Sequence, residues 1–98
     1  IIPPRIKDNT ETFALYMILC KQRNKLKKFL IDRGIEAKIH YPVPLHLQKP
    51  GKKLGYKKGD FPVAEEQASK LLTLPVHQYL KATQIKYMIK TIKQFYIK

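Results

Sequence analysis

Histidine and tyrosine stand side by side at positions 40 and 41, at the head of the stretch HYPVPLHLQ. Imidazole and phenol together can hydrogen-bond sugar hydroxyls or phosphate oxygens. Such a pair does this well when a strand end and a stiff, proline-fixed loop hold it out from a rigid support. The plainer reading of the pair is a surface histidine beside a packed tyrosine. His46 follows between Leu45 and Leu47, where an imidazole could be a buried packing residue or a ligand contact. His77 makes the weakest case of the three histidines. Arg23 opens a helix-forming segment and could hold a carboxylate or phosphate, although a surface or interdomain salt bridge explains it more simply.

Other chemistries are poorly served. No pair among His40, His46, His77 and Cys20 has a zinc-like spacing, so no metal ligands are assigned. Cys20 closes an apolar run, reads as a small buried hydrophobe in a reducing compartment, and makes a poor nucleophile there. Gly51, Gly55 and Gly59 are separated by charged residues and do not join a strand to a helix as a phosphate loop must. Glu65 and Glu66 fit first-turn partners of a helix dipole better than an acid–base pair.

The elements that must position the histidine–tyrosine pair can be read from periodicity. Phe13 to Cys20 is an unbroken apolar run of strand length. A helix over about Gln22 to Arg33 carries Leu26, Phe29 and Leu30 on one face and stops at Gly34. Ile35 to Tyr41 alternates, with Ile35, Ala37 and Ile39 inward, which turns His40 away from the core on the side of Lys38. From Pro42 to Gly59 runs a long loop, anchored by Leu45, Leu47, Leu54 and Tyr56. Asp60 is expected to cap the next helix, with Pro62 in its first turn and Ala64, Ala68, Leu71 and Leu72 as its buried stripe. Thr73 to Val76 reads as a short strand and Ala82 to Ile97 as a closing helix with Ile85, Met88, Ile89, Ile92, Phe95 and Tyr96 in the core. The result is an α+β domain with a small mixed or antiparallel three-stranded sheet, the third strand inserted between the first two, and helices mainly on one face.

Ninety-eight residues make one domain with one modest core. No window approaches the length of a membrane span, and a cytoplasmic location is expected. The opening Ile-Ile-Pro-Pro lacks an initiator Met and the marks of a signal peptide, so residues 1–12 are expected to be a connector from a larger upstream domain and residues 13–98 the folded unit. The net charge of +13 would suit a phosphate or nucleic-acid partner. The lysines, however, fall on presumed solvent faces of the helices as well as in the loop, and only three of the basic residues are Arg. A solvated lysine-rich surface is therefore the first reading, and a free-standing basic nucleic-acid-binding module is the rival.

Three separated stretches, RNKLKKFLIDRGIEAKIHYPVPLHLQ, GDFPVAEEQASKLLTLPVH and QIKYMIKTIKQF, resemble the C-terminal part of the DegT/DnrJ/StrS sugar aminotransferases. The resemblance covers roughly Phe13 to Phe95. It implies the small C-terminal domain of the aspartate-aminotransferase type of fold. It further implies a pyridoxal-phosphate enzyme that moves an amine from an amino-acid donor onto a nucleotide-linked keto sugar, and a homodimer in the full-length enzyme. His40 and Tyr41 then lie near the substrate sugar and its diphosphate, His46 is a further substrate-binding candidate, and Lys49, Lys52 and Lys53 could attract the diphosphate. In such enzymes the Schiff-base lysine and the cofactor's phosphate ligands belong to the preceding large domain. No catalytic or cofactor-binding residue is therefore assigned in this chain, and by itself it is expected to be inactive. Two departures from the pattern stand out. Asn24 replaces an acid after the helix arginine, and Lys81 sits where Ser or Thr usually caps a helix, at a cost of about 1 kcal/mol.

Overall fold

A short antiparallel ribbon forms where the two most apolar stretches meet. In the computed structural model, which describes residues 1–97, β1 (Tyr16–Leu19) pairs with β2 (Leu71–Leu74), and Ile18 lies opposite Leu72. A single bridge adds Lys38 to the far side of β2, where Lys38 and Thr73 exchange backbone hydrogen bonds of 2.8 and 3.0 Å. The third strand expected over 35–41 is thus reduced to one bridge, and the sheet has two strands. Just beyond it, Pro42 and Pro44 offer no N–H to a ladder and lead the chain away from the sheet. The expected order survives, since β2 lies between β1 and Lys38. β1 is also shorter than the apolar run suggests, because Phe13 and Leu15 are exposed.

Period-two alternation sorts the residues to two faces. Ile18 and Cys20 of the β1 arm, Leu72 and Leu74 of β2, and Ile35, Ala37 and Ile39 share one core with Leu26 and Leu30 of α1 (Arg23–Ile31). Met88, Ile92 and Phe95 of α4 (Ala82–Tyr96) pack against it. The end of α1 shows why the chain returns to that core. Gly34, at φ 80°, gives its N–H to the Ile31 carbonyl while Ile35 reaches back to that of Leu30. This is the Schellman arrangement, in which the apolar residues Leu30 and Ile35 are also brought together. On α4, Ile85, Ile89 and Tyr96 are exposed, contrary to the core expected for them, because α1 covers only part of the apolar arc of the helix.

Between the bridge and β2 the chain is more ordered than a plain loop. Leu45–Leu47 forms one 3₁₀ turn, α2 (Lys49–Lys53) follows, and α3 (Pro62–Lys70) leads into β2 beside β1. Gly51 lets α2 lie against the 3₁₀ turn, since a Cβ there would come within 2.6 Å of the Leu45 carbonyl oxygen and 2.7 Å of His46 Cα. Asp60 does not cap α3, contrary to expectation. Its carboxylate accepts the Lys57 N–H at 2.8 Å and closes the preceding turn, while Phe61 takes the cap position. Ala64 of the expected stripe is exposed and Ala68 buried. Leu71 and Leu72 fall on β2 instead of the helix.

Arg23 fastens α3 to the rest. Its guanidinium donates to the Ala68 and Leu71 carbonyls at 2.9 and 3.0 Å, and to the Asn24 side-chain oxygen at 2.7 Å. It therefore occupies carbonyls at the end of α3, and Asn24 supplies a neutral acceptor in place of an acid. Cys20 lies buried, its N–H and thiol both directed at the Lys70 carbonyl. That burial pushes the thiol above its ordinary value of 9.0, against smaller opposing pulls from Tyr96 and Arg23. Lys81 is the N-cap of α4, and in place of a capping hydroxyl the Gln84 side chain reaches back to accept the Lys81 N–H at 2.9 Å. No helix among the described residues is long and apolar enough to cross a membrane.

Candidate functional site

The face of the sheet opposite the core carries the histidine–tyrosine corner. His40 falls on the side of Lys38 and Thr73, as its place in the alternation requires, and its Nδ1 lies 2.8 Å from the Thr73 hydroxyl. Thr73 itself is buried, on the short strand between β1 and the bridge. The Tyr41 ring meets the His40 ring edge-on at 5.4 Å and is 69% exposed. The peptide bond joining the two residues is cis. The corner is thus half braced and half free: imidazole fixed against the sheet, phenol offered to solvent.

The two side chains open onto different cavities. His40 lines a small one of about 260 Å³ with Thr73, Lys38 and Pro75. Tyr41 lines a larger one of about 750 Å³, whose floor is Met17 and Leu71 of the sheet and whose walls come from the 42–56 segment and from α3. His46, Tyr56 and Phe61 also line this larger cavity. Two residues expected to anchor the segment, Leu45 and Leu54, are instead 81% and 78% exposed, and Tyr56 is also exposed. They form a rim instead of a core. Lys49, Lys52, Lys53, Lys57 and Lys58 stand exposed along the same segment.

His46 is placed differently from His40. It is 7% exposed, its ring packs on Phe61 at 4.9 Å, and Phe61 in turn meets Tyr56 at 5.5 Å. Its Nε2 has no hydrogen-bond partner among the described residues and sits 3.6 Å from the Glu65 carboxylate. Glu65 in turn accepts the Gly59 N–H at 2.9 Å, so one carboxylate faces both ends of the segment that walls the cavity. The sequence suggested Glu65 only as a dipole partner. Its second role rests on the turn at Gly59, φ 97°, which brings that N–H back over the first turn of α3. Thr73 likewise carries no functional signal in the sequence, and only the pairing of β2 with Lys38 brings its hydroxyl to His40. His77 is exposed and accepts the Tyr79 N–H, apart from the corner.

Comparison with known proteins gives a consistent answer. Residues 1–93 match the model of the DegT/DnrJ/EryC1/StrS aminotransferase family. The chain is 38% identical, over 98% of its length, to a pleiotropic regulatory protein of Geobacillus stearothermophilus. It is 29% identical, over 96% of its length, to the dTDP-3-amino-3,4,6-trideoxy-alpha-D-glucose transaminase of Streptomyces venezuelae. Among solved structures, a DegT DnrJ EryC1 StrS aminotransferase from Brucella abortus superposes with a TM-score of 0.86 at 35% identity, over 96% of this chain and 25% of that one. The chain spans about a quarter of the curated relatives' length, 26% and 25% of the two named.

Proposed function

The chain belongs to the DegT/DnrJ/EryC1/StrS aminotransferase family, and we propose that it is the C-terminal, substrate-facing domain of a pyridoxal-phosphate-dependent enzyme that aminates a nucleotide-linked keto sugar. Residues 13–98, of which Lys98 lies outside the described residues, are assigned to the domain and residues 1–12 to the connector from a larger upstream domain. The observation that carries the reading is the His40–Tyr41 corner, braced on one side by Thr73 and open on the other, within a stretch matched by the family. An imidazole and a phenol presented from a sheet edge can grip sugar hydroxyls or phosphate oxygens. The exposed lysines of the 49–58 segment add a positive field that draws a diphosphate toward the corner.

Pyridoxal phosphate supplies the electron sink that amine transfer needs. The residues lining the two cavities of the His40–Tyr41 corner do not fit a cradle for it. Among the described residues no lysine lines the larger cavity, and Lys38, on the smaller, pairs with Glu36 at 3.1 Å. The cofactor is accordingly assigned to the upstream domain, and this chain binds and orients substrate without reacting. His46, buried against Phe61 and Glu65, shapes the cavity wall more than it touches the sugar. A homodimer, a cytoplasmic location and an amino acid as amine donor complete the reading.

The test uses the complete polypeptide, supplied with pyridoxal phosphate, glutamate and a dTDP- or UDP-linked keto sugar. Amino sugar is the expected product, and His40→Ala and Tyr41→Ala are each expected to lower kcat/KM by about tenfold or more. Absence of amine transfer to every such sugar overturns the reading.

A further inference from the structure

Thr73 is tied on three sides. Its N–H donates to the Lys38 carbonyl at 2.8 Å, its carbonyl accepts the Lys38 N–H at 3.0 Å, and its hydroxyl lies 2.8 Å from His40 Nδ1. The residue is 6% exposed, and among the described residues the His40 ring is the one hydrogen-bond partner of that hydroxyl. Counting protons decides which way the bond runs. If Nδ1 donated, the hydroxyl hydrogen of a residue only 6% exposed would find no acceptor among the described residues, and an unmade buried donor is costly. If the hydroxyl donates, Nδ1 accepts, both groups are satisfied, and the one proton of a neutral imidazole must sit on Nε2.

We infer that Thr73 is a positioning residue: it donates to Nδ1, holds neutral His40 as the Nε2–H tautomer and fixes the plane of the ring. The corner then presents a hydrogen-bond donor, which selects an oxygen lone pair on its ligand, such as a carbonyl, phosphate or hydroxyl oxygen. This last step rests on the reading of His40 as a substrate contact; the tie to Thr73 does not. A buried hydroxyl at this point of β2 is a firm post for such a task, because its backbone is held by β1 on one side and by the Lys38 bridge on the other.

Ring nitrogen-15 NMR of the protein tests the tie directly, above the pH range in which histidine titrates. In the native protein and in Thr73→Ser, His40 Nε2 is expected to carry the proton and Nδ1 to show the upfield-displaced signal of a nitrogen that accepts a hydrogen bond. In Thr73→Val, which keeps shape and strand preference, the Nδ1 signal should move to the unbonded position. A proton found on Nδ1 in the native protein, or an Nδ1 signal unmoved in Thr73→Val, overturns the inference. Steady-state kinetics of the full-length enzyme separate it from the site reading. Thr73→Val is expected to raise KM for the sugar nucleotide about tenfold with kcat little changed, and Thr73→Ser to restore it. An NMR result as expected with KM unmoved supports the tie and removes His40 from the substrate site instead.

Discussion

His40 and His46 lie one short turn of chain apart, yet the molecule holds them by different means. His40 borrows its rigidity from the sheet: it leans on Thr73, whose backbone is paired to Lys38 and whose strand is paired to β1. His46 sits in a segment whose own helices are one turn long and whose large apolar side chains, Leu45 and Leu54, face outward. That segment keeps its shape through a few close contacts: Gly51 against the 3₁₀ turn, the Phe61 ring on His46, and Glu65 facing His46 and Gly59. A site anchored on paired strands inherits the stability of the whole core. A wall held by local contacts can open on its own. The molecule thus has a fixed half and a yielding half on either side of the His40–Tyr41 corner.

The largest blow falls on the fixed half. Leu72 is fully buried beside Thr73, and Leu72→Ala is expected to cost about 2–5 kcal/mol, with corner and wall lost together in one urea transition. A corner that kept its structure after the core was lost would contradict its anchoring on the paired strands. Gly51→Ala attacks the yielding half. Its added methyl meets backbone on three sides and should cost about 1–3 kcal/mol, raising hydrogen exchange over 44–59 while Thr73 and Lys38 stay protected. Equal acceleration in sheet and wall would erase the distinction drawn here.

Smaller effects sharpen it. Glu65→Gln keeps an acceptor for the Gly59 N–H but removes the charge facing His46, and a loss of about 0.5–1.5 kcal/mol is expected, read as faster exchange of the Gly59 amide. An amide that exchanges as in the native protein would dismiss Glu65 as the fastening of the wall. The mildest test concerns pH. Because burial raises the Cys20 thiol above 9.0, the unfolded chain gives up this proton first as the solution turns alkaline. The thiol's contribution is therefore complete below pH 9 and drains away above it. Between pH 8 and 10 the native protein should lose more of its urea midpoint than Cys20→Ala does. Parallel losses would show that the thiol is solvated after all.

Wherever one residue's neighbours in the chain decide its place, the sequence was enough. The alternation over 35–40 turned His40 from the core, Gly34 stopped α1, and Met88, Ile92 and Phe95 took the inward side of α4. The family, too, was legible in three separated motifs, and the match over residues 1–93 bears it out. Tertiary structure alone decided what depends on distant partners. It reduced the third strand to a bridge at Lys38, left Ile85 and Ile89 without cover, and moved Asp60 from helix cap to turn. It also brought Thr73 to His40, 33 positions away, and Glu65 to His46 from a different element of the chain. Periodicity records which face a side chain takes, because that is a property of the local backbone. It holds no record of which other segment will lie against that face, because that is settled only when the whole chain packs.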